Sequence, residues 1–191
     1  RKRCSHVDNY WIVMWQEILH SEVKLRKTMK PILQQYAAYT TWANQQLFDC
    51  IGTLSEEQIG QEVSSSFPSI KKTALHMLDA DSIWWQRLKL AEQIERPSET
   101  FSGNFAELSK KLMLQSKLWE EWVHNATETQ LSHVFAYQNN KKEQFKQPVY
   151  EMLLHIFNHA TYHRGQLVTM LRQLGVEKIP GTDFVLFCRK K

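Results

Sequence analysis

Four stretches of this chain repeat apolar residues at helical spacing, and each is bounded by residues that start or stop helices. The first opens at Pro31, whose fixed φ suits a first turn, and carries Ile32, Tyr36, Ala43, Leu47 and Ile51 to a stop near Gly52. The second starts at Ser69 after the turn-like SSSFP and supplies Ile70, Leu75, Leu78, Ile83, Trp84 and Leu88 up to about Leu90. Asn104 caps a third, with Phe105, Leu108, Leu112, Leu118, Trp119 and Trp122, which fades near Asn125. Pro148 opens a fourth, and Gly175 ends it after Leu174.

A helix with one apolar stripe must bury that stripe, and four of them do so best against one another. The expectation is therefore an all-α four-helix bundle. Pro97 and Gly103 mark a long loop between the second and third helices. Between the third and fourth, SHVFAYQNNKKEQFKQP alternates Val134 and Ala136 around an Asn-Asn turn, which reads as a small hairpin on a long crossover. The closing IPGTDFVLF is apolar and turn-rich and is predicted to lie across one end of the bundle.

At 191 residues the chain suits one compact core. No apolar run approaches the roughly 18 residues of a membrane span. The net charge of +4 comes from 24 basic and 20 acidic residues scattered along the chain, without the basic stripe and interleaved aromatics of a nucleic-acid binder. Cys4, Cys50 and Cys188 are widely spaced and odd in number, which argues against a disulfide framework and for the reducing cytoplasm. Residues 1–28 precede Met29 and are expected to be upstream or non-native sequence, because Arg26-Lys27-Thr28 could be encoded by a purine-rich ribosome-binding stretch. A genuine amphipathic N-terminal helix is the alternative. Residues 29–191 then form the single domain.

The segment HIFNHATYHRGQ places His155, His159 and His163 at four-residue intervals on the fourth helix. Residues four apart differ by about 40° and about 6 Å of rise, so the three rings form one stripe. They cannot all bind one ion: His155 and His163 are roughly 12 Å apart along the axis, and metal–nitrogen bonds are about 2.0 to 2.1 Å. One adjacent pair can chelate, and a third ligand must come from elsewhere. His76 in TALHMLDAD, on the second helix, is the best candidate, ahead of His124 and His133 near loop ends and of His6 and His20 in the front segment. Three His ligands with an open position match catalytic rather than closed structural metal sites. Asp79, one turn after His76, could orient a ligand or handle a proton. The plainer alternative is that these rings are packing residues, since HxxxH arises often by chance. The zinc-protease pattern HExxH is absent.

QYAAYTTWANQQLFD, TALHMLDADSIWW and HIFNHATYHRGQ, taken together and in this order, resemble the DinB (damage-inducible, YfiT-like) family of metal-binding four-helix bundles. The resemblance covers about residues 30 to 188 and is specific mainly through NHATYHRGQ. It implies a divalent metal ion, zinc or nickel, on His76, His159 and His163, with His155 left as a neighbour. It further implies a thiol S-transferase in which a low-molecular-weight thiol, activated as metal-bound thiolate, attacks a small-molecule electrophile in a homodimer. A hydrolase using metal-bound water, and a non-catalytic stress-induced dimer that binds metal, are the competing readings. Trp42, Trp84 and Tyr162 would line the substrate pocket. Arg164 would hold a carboxylate of the thiol or electrophile or, alternatively, tie the helix to a neighbour. From position alone, Gly165 is expected to permit close helix packing and Gln166 to hydrogen-bond a ligand histidine.

Overall fold

A computed structural model describes residues 7–139 and 141–189 of the protein, with side chains from Met29 onward. Four long helices carry the fold: α1 (Val7–Ile51), α3 (Ile70–Leu88), α5 (Phe105–Asn125) and α7 (Val149–Gln173). Between and after them lie the short helices α2 (Glu56–Gly60), α4 (Pro97–Thr100), α6 (Glu128–Ser132) and α8 (Phe184–Cys188), and an antiparallel hairpin of β1 (Val134–Gln138) and β2 (Gln144–Pro148). Both α1 and α3 pack against α5 and α7, so the order around the bundle is α1, α5, α3, α7. That order makes neighbours of α3 and α7, the helices that carry the candidate histidines. The expected bundle, with its hairpin between the third and fourth long helices, is what forms.

The helix boundaries have local causes. The Ser69 hydroxyl accepts from the Lys72 N–H at 3.3 Å to start α3. Asn104 and Glu107 form a reciprocal capping box at α5. Gly175 adopts φ +81° just past α7, where its N–H reaches the Arg172 carbonyl at 3.0 Å, a conformation a residue with a Cβ rarely takes.

One boundary differs from expectation. Pro31 stands inside α1, not in its first turn. Proline removes an N–H donor, but its φ is compatible with a helix, so apolar periodicity downstream of it cannot reveal a helix that continues upstream. Residues 1–6 of the expected front extension, and the side chains of residues 7–28 with His20 among them, lie outside what is described; the backbone is already helical from Val7.

Two apolar clusters fill the bundle. One gathers Leu47, Phe48, Ile70, Met77, Leu108 and Leu167. The other gathers Leu33, Trp119, Val123, Phe135, Met152 and Phe157. Between them lie buried polar residues on three helices, Thr41 and Asn44 on α1, Asp81 on α3 and Ser116 on α5, and buried Arg164 of α7 reaches into this layer. Asn44 Nδ2 donates to Ser116 Oγ at 3.0 Å, Arg164 donates to Asn44 Oδ1 at 3.0 Å, and Trp119 Nε1 donates to the Asp81 carbonyl at 3.3 Å. Buried polar groups are tolerated when paired in this way.

The chain's last stretch does not cover an end of the bundle. It runs antiparallel along the flank of α1: the Cys50 thiol faces the Lys178 carbonyl, Tyr39 Oη donates to the Thr182 carbonyl at 2.8 Å, and Gln35 reaches Cys188 Sγ at 3.3 Å. Phe184 and Phe187 of α8 pack edge-on against Tyr39. The aromatic side chains of α1 give those residues an apolar surface to pack on. Among the described residues, no helix is long and apolar enough to cross a membrane.

Candidate metal centre

His76 points from the middle of α3, and His159 and His163 from successive turns of α7, into the seam where these helices meet. His159 Nε2 lies 3.3 Å from His76 Nε2 and 3.0 Å from His163 Nε2. One ring nitrogen from each of the three residues lies within 4.8 Å of the others. Two imidazole nitrogens this close must share either a proton or a cation, because two lone pairs repel. Nitrogens bound to one tetrahedral ion with bonds of about 2.0 to 2.1 Å are roughly 3.3 Å apart, so the donor set fits a metal ion.

Protonation points the same way. Burial, then the neighbouring rings of His163, His76 and His155, push the His159 pKa down to about 4. Burial and the His163 ring lower that of His76, although the Asp79 carboxylate works against them. Burial also lowers His163. All three shifts favour the neutral imidazole, the form that donates a lone pair to a metal.

The surroundings fix the rings. His163 Nδ1 donates to Gln166 Oε1 at 2.7 Å, and Gln166 Nε2 donates to Ser66 Oγ at 3.0 Å. That bond places the proton on Nδ1 and leaves the Nε2 lone pair free. Phe67 stacks on His76 with ring centroids 4.3 Å apart and lies 5.8 Å from His163. Ser66 and Phe67 belong to the SSSFP turn, which the sequence marks only as a helix start; nothing in its composition signals that its aromatic ring would cover a histidine.

The other expected site residues divide. Asp79 lines a pocket together with His76, but both its oxygens are engaged by Ser98, at 2.8 Å from the backbone N–H and 2.5 Å from the hydroxyl, which ties α4 to α3. His155 stays a neighbour, 5.8 Å from His159 between ring centroids, and it contacts Trp84. Trp84 lines the pocket, and exposed Tyr162 lies edge-on to His163. Trp42 instead packs against Tyr39 and Phe187 under α8. Arg164 is only 2% exposed and donates to Asn44 and Thr161, so its guanidinium has no free edge for a substrate carboxylate. Helical spacing explains this: Arg164 is one residue, about 100°, around α7 from His163 and so faces the bundle interior. Gly165 is exposed, and a Cβ there would meet nothing within 4 Å, so close packing does not account for it.

The pocket beside His76 has a volume of about 420 Å³ and opens past Trp84, Arg87, Arg96 and Lys141. Among the described residues no fourth His, Cys, Asp or Glu joins the three histidines. The fold and this site together define a helical-bundle protein with a three-histidine candidate metal centre. The DinB family model matches residues 25–190, and the chain belongs to the DinB family.

The relatives agree. The chain is similar to Protein DinB of Bacillus subtilis (strain 168), at 34% identity across 78% of this chain and 89% of that protein. The crystal structure of a DinB-like protein from Bacillus cereus ATCC 10987 superposes with a TM-score of 0.62 at 20% identity, over 78% of this chain and 94% of that one. A DinB-like protein from Bacillus subtilis gives a TM-score of 0.54 at 14% identity, over 81% and 97%. These two likenesses bear on the fold alone.

Proposed function

We propose that the protein is a divalent-metal-dependent enzyme that transfers the sulfur of a low-molecular-weight thiol to a small-molecule electrophile. The observation that carries this reading is the convergence of His76, His159 and His163 with no fourth protein ligand among the described residues, beside a pocket that admits a small molecule. Zinc and nickel both suit an all-imidazole set. When bound, such an ion lowers the pKa of a coordinated thiol or water and so supplies a nucleophile at neutral pH.

The chain's own residues supply the rest. His76, His159 and His163 hold the ion as neutral rings, and Gln166 fixes the His163 tautomer. Phe67 covers one side of His76 and excludes water there. The thiol proton passes to solvent through the open pocket, and Asp79, held by Ser98, keeps α4 against α3 beside the site. The thiol sulfur then forms a bond to the electrophile, and the leaving group departs with its electron pair. Arg164 acts from the interior by tying α7 to α1. A homodimer is part of this reading.

The test is an assay of metal-loaded protein with an alkylating electrophile, with and without bacillithiol, glutathione or cysteine. A rate that needs one of these thiols and disappears in His159→Ala supports the transferase. Turnover of a labile ester or amide without any thiol would instead assign water as nucleophile and make the protein a hydrolase. With neither activity, a non-catalytic metal-binding role would stand.

A further inference from the structure

The pocket beside His76 is lined by Arg87, Arg96 and Lys141, and Asp79 is the one carboxylate facing them. Asp79 is already committed to Ser98. Among the described residues the one ion pair is Lys71 with Glu56, so none of the three cations has a carboxylate partner. Arg87 is stacked between aromatic rings, its guanidinium carbon 4.6 Å from the Trp84 centroid and 5.3 Å from that of Tyr137. Its Nε is buried and has no hydrogen-bond partner. A stacked guanidinium presents its donors in a fixed fork that matches a carboxylate or phosphate.

The cations come from three chain segments, and two of these are pinned. Gln86 binds Glu95 through both backbone groups, each at 2.8 Å, which positions Arg96. Asn139 Oδ1 accepts from the N–H groups of Lys141 at 2.8 Å and Glu143 at 3.0 Å, which shapes the hairpin turn that carries Lys141. Convergence of unpaired cations on segments held in this way is a preorganised anion site. Ala80, Ile83 and Trp84 supply an apolar wall, and about 420 Å³ is room for a small molecule.

We propose that this pocket binds the carboxylate or phosphate of a small anionic ligand, so that the substrate class of the three-histidine centre is an oxyanion-bearing molecule rather than a neutral one. Arg87, Arg96 and Lys141 thus take the anchoring role that the sequence suggested for Arg164. The proposal rests on the metal-centre reading for its place in the reaction, but its test does not depend on that reading.

The experiment is calorimetric titration of the full-length protein with succinate, with inorganic phosphate and with neutral succinamide. Metal-loaded wild type and His159→Ala are both titrated, so that a carboxylate bound directly to an ion is told apart from one bound by the cations. Arg96→Gln, Lys141→Gln and their double variant follow; both positions are exposed, so the fold should survive. The expected result is binding of succinate or phosphate, but not of succinamide, in both wild type and His159→Ala. The affinity should fall about tenfold for each cation removed and weaken with added salt. A preference for succinate assigns a carboxylate, and a preference for phosphate assigns a phosphate. The proposal is overturned if neither anion binds, if binding is lost in His159→Ala, or if the double variant binds as tightly as wild type. Anion binding by a wild-type protein that takes up no metal would contradict the metal centre and leave the anion pocket standing.

Discussion

Gln166 Oε1 accepts a hydrogen bond from His163 Nδ1–H at 2.7 Å, and this single bond decides which nitrogen of that ring faces His159. Removing the acceptor lets the ring change tautomer or rotate. Gln166→Leu should therefore weaken metal affinity by about 10- to 100-fold, as is usual when the outer partner of a ligand histidine is lost. Gln166→Glu keeps an acceptor oxygen and should recover most of the affinity. Competition against a chromophoric chelator measures both, and equal affinities for Gln166→Leu and wild type would contradict this role.

The depressed pKa of His159 makes the metal-free protein sensitive to acid. In the unfolded chain the ring titrates near 6.5, and in the fold at about 4. Between these values the unfolded state binds the extra proton, so this contribution to stability is full above about pH 6.5 and is lost as pH falls toward 4. Asp81 works in the opposite direction: burial raises its carboxyl to about 7, so its contribution declines as pH rises from its ordinary value toward that point. Comparing wild type with His159→Gln cancels the Asp81 part. Chelator-treated wild type should lose more stability than the variant between pH 7 and pH 5 in denaturant titrations. Parallel losses would show that His159 is not the group responsible.

Arg164 joins α7 to α1 through Asn44 and is buried with Asp81 in the same polar layer. Truncation leaves Asn44 Oδ1 without its donor and Asp81 without its nearby cation. Breaking a buried charged network typically costs about 3 to 5 kcal/mol. Arg164→Ala should lose stability on that scale in urea unfolding, yet still bind metal wherever it remains folded, because its side chain does not reach the histidines. A loss below about 1 kcal/mol would mean that the network contributes little.

Much of this architecture is legible from residue order because its signals are local. The periodic apolar positions and the caps at Ser69 and Asn104 each act within one or two turns, and they mark α3 and α5 closely. The Asn-Asn turn and the alternation before it likewise disclose the hairpin. Helix geometry reads one adjacent histidine pair on the fourth long helix, and His76 is the best third ligand by its place on the second, whereas the choice of His159 with His163 over His155 with His159 comes only through the family resemblance. What is not legible depends on rotation and long-range approach. Spacing alone does not say that Arg164 faces α1 while His163, its neighbour, faces α3. Nor could it say that Trp42 would be covered by a tail more than a hundred residues downstream, that Phe67 would lie on His76, or that Arg87, Arg96 and Lys141 would meet.

In the proposed centre three imidazoles from two helices share one cation. Elemental analysis of protein purified without added metal and without a chelating tag tests that directly, with His76→Ala and His163→Ala in parallel. One divalent ion per chain in the wild type, falling to near zero in both variants while their helical content is unchanged, is the predicted result. A wild type without metal, or variants that retain a full equivalent, would contradict it.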